Sequence, residues 1–203
     1  PEIIKEGTLV RARVLGKDYE GTKTLQAERV SDYMNYQLLY ESTDWEQELE
    51  KLLNQLPLIG FVCKKSFYDP VKKKIRSDLV PYCDLIVSAD AKTIKDAARI
   101  SHIQHLKLND LISAARSGCF DTKVVDDIVK RTEQDDLNPC IDIVEQQTTL
   151  NLTDDKLSQP YFVTFVKESG EILRIAPRFM KEDINHKDGE VTYIDAIEVY
   201  TYY

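Results

Sequence analysis

Four cysteines and three histidines are the side chains of this sequence best suited to nucleophilic or metal chemistry. None of the cysteines forms the CxxC pair that is typical of zinc sites and redox motifs, and the chain is not a short, disulfide-dense scaffold. We therefore predict free, buried thiols in a reducing cytoplasm. The cysteines are Cys63, Cys83, Cys119 and Cys140.

The closest pair of histidines is His102 and His105. A separation of three residues places both on one face of a helix, but we predict a strand here, and a strand directs them to opposite faces. No Glu lies between them to complete a zincin-like motif, so the pattern favours structural histidines. A hydrolase that pairs a cysteine with His102 or His186 stays an alternative, although no local signature joins either histidine to a thiol.

A basic cluster between residues 64 and 76 departs from the acidic balance of the chain, whose formal charge is −8. Clustered cations attract polyanions by counterion release, so a nucleic-acid-binding module built on this segment is a second alternative. The overall charge argues against a dedicated nucleic-acid binder, and a charged hairpin tip also protects a sheet edge against aggregation. The cluster comprises Lys64, Lys65, Lys72, Lys73, Lys74 and Arg76.

Two helices are predicted near the start of the chain. The first covers 24–40, where apolar residues recur at helical spacing. The second covers 43–56, where Thr43 and Glu46 form a capping box and Pro57 ends the helix. The apolar face of the first helix consists of Val30, Tyr33, Met34 and Leu38.

The next part of the sequence alternates between extended and helical patterns. Aromatic and β-branched residues predict a β-hairpin over 61–80 and a short strand over 84–87. A short helix is expected over 92–98, followed by a strand over 99–106. These elements place the basic cluster on the hairpin.

A pair of short helices and a β-rich region follow. The first helix is expected over 108–115, with Gly118 supplying the left-handed residue that ends it. Asp121 is the expected N-cap of the second helix. Beyond Pro139 the residues become rich in Ile, Val and Thr, and Gly170 suits the tight turn of a further hairpin.

The final run, 190–203, is predicted to form one more strand. The whole sequence is therefore typical of an α+β protein, with a helical middle, β-hairpins and a β-rich C-terminal part. We divide it into a mixed region, 1–138, and a β-rich region, 139–203. Exposed aromatics are enriched at subunit interfaces, so the tyrosines of the final run suit either an interface or the core. They are Tyr193, Tyr200, Tyr202 and Tyr203.

The composition places the chain among globular proteins. It is 42% hydrophobic and 31% charged, unlike disordered sequences. No stretch approaches the roughly 20 apolar residues of a membrane span. Because the first residue is Pro1 and Tyr203 lies within a strand-like run, we expect a piece of a longer protein.

Five phrases in fixed order resemble the early part of the portal protein of short-tailed (podovirus-type) bacteriophages. The most specific is MNYQLLY, within the first phrase. The phrases are RVSDYMNYQLLY (29–40), LPLIGFVCKKSFYDP (56–70), DLIVSADAKTIKDAARISHI (84–103), NDLISAARSGCF (109–120) and PYFVTFVKESGEILRIAPRF (160–179).

This resemblance implies a structural role rather than an enzyme, with no cofactor and no metal. The chain would be the wing region that precedes the stem of a portal subunit, so the fold is expected to be portal-wing-like. The parent would form a ring, usually of twelve subunits, at one capsid vertex of the virion. Its partners would be further copies of itself, the terminase, capsid or scaffold and tail proteins, and double-stranded DNA passing through the channel. Assembly would occur in the host cytoplasm.

Under the same resemblance, the helix 43–56 and the hairpin 61–80 would form a rigid body with its basic tip directed outward. That tip is the interaction surface we predict. It consists of Lys72, Lys73, Lys74 and Arg76.

Overall fold

A computed structural model of the chain describes residues 9–42, 44–69, 72–94, 97–132, 140–152, 157–187 and 190–203. These residues form four α-helices and ten strands in three sheets, which confirms the predicted α+β class. The helices are α1 (Thr22–Tyr36), α2 (Trp45–Ile59), α3 (Leu108–Arg116) and α4 (Thr122–Thr132). The strands are β1 (Cys63–Asp69), β2 (Lys74–Val80), β3 (Leu85–Val87), β4 (Ile100–Lys107), β5 (Cys140–Leu150), β6 (Gln159–Val166), β7 (Ile172–Pro177), β8 (Ile184–Lys187), β9 (Glu190–Ile194) and β10 (Tyr200–Tyr202).

The largest sheet has five strands in the order β3-β4-β5-β6-β7, and every neighbouring pair is antiparallel. The predicted hairpin β6–β7 is confirmed, and Gly170 takes the left-handed φ of 72° that its turn requires. The strand predicted at 99–106 is also confirmed as β4. Antiparallel order lets one face of this sheet pack on helices while polar residues occupy the other.

Helices α3 and α4 pack on the five-stranded sheet through a common apolar core. Leu111 and Ile143 have no exposed surface, and Val125 and Leu173 are almost as deeply buried. Burial of such side chains stabilises a fold by about 1.5–3 kcal/mol each, so this core holds the C-terminal half together. The core residues are Leu111, Ala115, Val125, Ile128, Ile143, Val166 and Leu173.

The ends of α3 and α4 follow the predicted local signals. Gly118, at φ 80°, ends α3, and its N–H donates to the carbonyl of Ala115. Asp121 caps α4, because its carboxylate accepts a hydrogen bond of 2.9 Å from the backbone N–H of Lys123. These two signals join the helices by a short connection that keeps both on the same sheet.

The second sheet has three strands in the order β10-β1-β2. The β1–β2 hairpin matches the predicted one, and β10 adds to its other edge with Cys63 opposite Tyr202. Helix α2 lies against β2, where the carboxylate of Glu48 accepts a hydrogen bond of 2.8 Å from the backbone N–H of Leu79. A third, two-stranded sheet joins β8 to β9.

Three local predictions are wrong. Pro57 does not end α2 but lies in its last turn, and the helix stops at Gly60, whose φ is 77°. The described residues within 92–98 form bends, because so short a helix gains few hydrogen bonds for the cost of nucleation. The run 190–203 forms two strands in two different sheets rather than one.

Helix α1 confirms the first predicted helix, and a π-helical turn over Gln37–Glu41 extends it. Of the apolar residues that predicted this helix, Val30, Tyr33 and Met34 are exposed. The buried residue of α1 is Asn35, whose side-chain amide exchanges hydrogen bonds with the backbone of Leu9 and Val10. A polar residue therefore anchors the helix to the segment before it.

Some predicted features fall outside the residues that the structure describes. Thr43 of the capping box and Pro70 of the hairpin turn are among them. The division of the chain at residue 138 lies there too and stays a prediction.

Candidate functional site

The tip of the β1–β2 hairpin carries two of the predicted basic residues into solvent. Lys72 and Lys73 are exposed, and Lys73 has a left-handed φ of 53°. The backbone N–H of Lys72 donates to the carboxylate of Asp69 at 3.0 Å, which orders the turn. The tip therefore presents two cations on a fixed backbone.

The other two residues of the predicted surface lie beside acids. Lys74 is 3.7 Å from a carboxylate oxygen of Asp44. Arg76 lies between Asp78, at 2.8 Å, and Asp69, at 3.5 Å. The positive charge of the strand is thus largely compensated by neighbouring carboxylates.

A shallow cavity of about 230 Å³ lies between the start of α2 and this hairpin. Trp45, Ser66 and Ser77 line it together with Lys74 and Arg76. Most of its polar groups pair with one another, although Nε of Arg76 is buried without an acceptor among the described residues.

Lys64 and Lys65 do not belong to any exposed cluster, which corrects the picture of a basic loop. Both residues are buried, with 6% and 8% of their surface exposed. Burial lowers the pKa of Lys64, whose ammonium lies 6.0 Å from the ring centre of Trp45. Lys65 forms an ion pair of 2.7 Å with Glu145.

Glu145 is the centre of a polar network that joins the two larger sheets. The hydroxyl of Tyr200, on β10, donates to its carboxylate at 3.0 Å. The same hydroxyl lies 3.1 Å from Nδ1 of His102, on β4, and the two rings meet edge to face. The chain Lys65–Glu145–Tyr200–His102 therefore runs from one sheet to the other, and we call it the junction network.

Burial sets the protonation states within the junction network. It lowers the pKa of His102 to about 4, with the positive charge of Lys65 as a second cause. Burial also raises the pKa of Tyr200, and the nearby Glu145 carboxylate adds to the effect. His102 is consequently neutral and Tyr200 protonated across the physiological range, which suits hydrogen bonding rather than proton transfer.

His105 lies on the other side of β4, as predicted for a strand. Its Nδ1 is 2.6 Å from Asp142, and this hydrogen bond raises the pKa of His105. Hydrogen bonds from Lys167 and then His105 lower the pKa of Asp142. In the described ranges, no group of three or more His, Cys, Asp or Glu side chains is arranged to hold a metal ion.

All four cysteines are free thiols, as predicted, but Cys63 alone is buried. Burial raises the pKa of Cys63 to about 11, the opposite of the shift that activates a nucleophile. Within the part of the chain that the structure describes, no hydrogen bond joins a histidine to a cysteine. His186 lies on β8, in the small third sheet.

Helix α1 presents a broad apolar surface to solvent, which we call the α1 apolar face. At 3.6 residues per turn, its members cover about half of the helix circumference. Large exposed apolar side chains on a single element are typical of an interaction surface. The face consists of Leu25, Val30, Tyr33, Met34 and Tyr36, each between 41% and 59% exposed.

The sequence indicated the helix but not the direction of this face, because helical periodicity shows which residues share a side and not what covers them. The junction network was missed for a related reason. Lys65 was taken as part of an exposed cluster, whereas its position two residues after buried Cys63 on a strand places both on one face. The sequence did contain one indication of a buried polar network, because Glu145 directly follows the apolar residues Ile143 and Val144 in β5.

None of the helices in the described ranges combines the length and apolarity needed to cross a bilayer. The sequence matches no known protein family, and no curated protein is significantly similar to it. The likeness to portal proteins accordingly rests on the five quoted phrases.

Proposed function

We propose that this chain is the wing region of a portal subunit, a structural component of the ring through which a short-tailed phage packages and ejects its DNA. The observation that carries the proposal is the α1 apolar face. Three of its five residues are aromatic or methionine side chains, the types enriched at the centres of protein interfaces. The first quoted phrase, with MNYQLLY, lies on this helix and its π-helical extension.

The partner that we propose for this face is a neighbouring copy of the same subunit. A ring forms when one surface of each copy binds a different surface of the next at an angle that closes. An apolar element that its own subunit leaves uncovered is suited to such a contact. Helix α1 has this property, because Asn35 and Ser31 tie it to residues 9–12 while its apolar residues stay in solvent.

The electrostatics support a subunit that DNA passes rather than one that grips DNA. The formal charge is −8, and Arg76 and Lys74 of the predicted basic surface lie beside carboxylates. A binder that neutralises several phosphates needs uncompensated cations at matching spacing. Lys72 and Lys73 at the hairpin tip supply two, which suits a contact with an acidic protein partner such as terminase, capsid, scaffold or tail.

The geometry gives no support to the hydrolase alternative. A nucleophilic cysteine needs a lowered pKa and a base within hydrogen-bond reach. The pKa of Cys63 is raised, and Nδ1 of His102 faces the hydroxyl of Tyr200. A subunit that needs no catalysis and no cofactor fits these side chains better.

The test is the mass and shape of the parent protein, measured by multi-angle light scattering and negative-stain imaging. We expect a ring of about twelve subunits with a central hole. The double variant Tyr33→Ser/Tyr36→Ser should weaken or abolish the ring, because it removes two aromatic side chains from the α1 apolar face.

A matched control is Tyr68→Ser/Tyr82→Ser. These tyrosines are each 60% exposed, close to the 59% and 52% of Tyr33 and Tyr36, but lie away from α1. The control should leave the ring intact. A monomer or dimer from the unmodified parent would contradict the portal proposal, and equal behaviour of the two variants would contradict the role of α1.

A further inference from the structure

A cavity of about 290 Å³ lies where the five-stranded sheet meets the small third sheet. Its volume is at the small end of the range for ligand pockets. Five residues that bear hydroxyl groups line it together with Gln147 of β5, Arg178, which directly follows β7, and several apolar residues. The hydroxyl-bearing residues are Thr148, Thr149, Ser158, Thr192 and Tyr193.

Two of the residues that line this cavity carry a buried hydrogen-bond donor for which the described residues supply no acceptor. These donors are Nε2 of Gln147 and Nε of Arg178, and the part of the chain that the structure describes holds a single further orphan of this kind, on Arg76. Gln147 is 94% buried, as 6% of its surface is exposed. Both donor atoms are buried. An unpaired buried donor costs about 1–3 kcal/mol, which makes two side by side unusual.

The two side chains are held together. An Nη atom of Arg178 donates to Oε1 of Gln147, which fixes the amide with its NH₂ group unpaired. The backbone N–H of Arg178 donates to Pro160 at 3.0 Å, and its carbonyl accepts from Ile197 at 2.8 Å. The guanidinium also lies 5.9 Å from the ring centre of Phe162. These contacts keep the Arg178 and Gln147 side chains next to each other.

We propose that this cavity binds a carboxylate, which accepts hydrogen bonds from Gln147 and Arg178 after a small rotation of either side chain toward it. A planar group with two acceptor oxygens matches an amide N–H and a guanidinium N–H presented together. Binding gives two unpaired donors an acceptor, and this gain offsets any weakening of the Arg178–Gln147 hydrogen bond that the rotation causes.

The charge of the surroundings selects a carboxylate over a phosphate. Among the described residues that line the cavity, Arg178 is the one that carries a charge, and Glu198 lies close enough to act electrostatically on it. A singly charged anion is therefore favoured over a dianion. The carboxylate belongs either to a small organic acid or to an Asp or Glu side chain of a second copy of this chain.

The experiment is a titration with sodium acetate, followed by the NMR signals of the Gln147 side-chain NH₂ and of the Arg178 Nε–H. Sodium chloride at equal ionic strength and sodium phosphate are run beside it, all at a protein concentration where the chain is monomeric. We expect saturable shifts with acetate, weaker shifts with phosphate and none with chloride. A separate series without acetate varies the protein concentration.

Two variants test the assignment. Gln147→Glu should weaken acetate binding by about tenfold or more, because its carboxylate pairs with Arg178 and occupies the site. Gln146→Glu is its matched control, since Gln146 faces the opposite side of β5 and bonds to Ser101. Thr149→Asp, at an exposed position on the cavity wall, repels the anion without disturbing the core and serves if Gln147→Glu does not fold.

The outcomes separate cleanly. In the series without acetate, Gln147 and Arg178 signals that respond to protein concentration in the same way as they respond to acetate would assign the carboxylate to a second copy of the chain. Signals that stay unchanged as the protein concentration rises would assign it to a free organic acid. No saturable shift with acetate would overturn the proposal, as would wild-type affinity in both Gln147→Glu and Thr149→Asp. None of these results depends on whether the parent forms a ring.

Discussion

The two halves of this molecule treat their apolar side chains in opposite ways. Around α3 and α4, the apolar residues face the five-stranded sheet, and Leu111 has no exposed surface. On α1, the residues at helical spacing face solvent, and Leu25 is 57% exposed. The same helical spacing of apolar residues therefore forms a buried core around α3 and α4 and an exposed surface on α1. The half with α3 and α4 has a closed core, whereas α1 keeps large apolar side chains in solvent.

The sharpest test of this comparison is a pair of leucine truncations. Leu111→Ala should lower the free energy of unfolding by about 2–5 kcal/mol, because it leaves a cavity in a closed core. Leu25→Ala should change it by less than about 0.5 kcal/mol. Urea denaturation of both variants measures the difference. A similar loss at Leu25 would show that α1 is covered within its own subunit.

The next effect concerns the junction network that connects the halves. Tyr200→Phe removes the hydroxyl between Glu145 and His102 and should lower the free energy of unfolding by about 1–3 kcal/mol. Tyr202→Phe, two residues along β10, is the control and should cost little. If both variants unfold at the same urea concentration, the network does not hold the sheets together.

The pH dependence of the free energy of unfolding should also report on the junction network, through His102. The pKa of His102 is about 4 in the folded protein and has its ordinary value of 6.5 in the unfolded chain. Between these two pH values the unfolded chain therefore binds more protons than the folded protein. Stability should therefore fall as the pH decreases from about 6.5 to about 4, by at most about 1.4 kcal/mol per pH unit for one proton.

His102→Gln should flatten this pH dependence, since Gln does not titrate. His186→Gln is the control, because His186 is exposed on β8. Thermal unfolding across the pH range compares the variants with the wild type. The raised pKa of His105 acts in the opposite sense and is common to all three proteins, so the difference isolates His102. Parallel curves for the wild type and His102→Gln would contradict the neutral, buried state of this histidine.

The smallest effect is expected at the hairpin tip. Lys72→Glu/Lys73→Glu should change the free energy of unfolding by less than about 0.5 kcal/mol, because both side chains are exposed. The variant should also leave DNA binding negligible at physiological salt, as in the wild type. Strong, salt-sensitive DNA binding that the variant loses would instead favour the nucleic-acid-binding alternative.

Local signals in the sequence predicted most elements. Gly118 ends a helix, Asp121 caps the next one and Gly170 forms a turn. Each of these roles depends only on neighbouring residues in the sequence, so it could be predicted without knowledge of the fold. Pro57 was misread because a proline near a helix end removes one hydrogen bond without forcing a stop. The break in the run 190–203 was invisible, since its two strands differ in their partners rather than in composition.

The sites were less predictable than the elements because they depend on distant residues. Lys65 meets Glu145, and Gln147 meets Arg178, only once β5 lies between its neighbours. Lys64 and Lys65 are buried and Lys72 and Lys73 are exposed, although all four belong to one basic cluster in the sequence. A charge cluster in sequence is therefore weak evidence for a charged surface.

The place of β10 in the second sheet has a consequence for biosynthesis. Strand β1 leaves the ribosome long before its partner Tyr200–Tyr202, so one edge of the hairpin lacks these hydrogen bonds until β10 has been made. During that interval Cys63 and the unpaired edge are open to other nascent chains. Slow translation or crowded polysomes should thus raise misassembly at this edge, and a chaperone that shields it would have the greatest benefit before residue 200 is made.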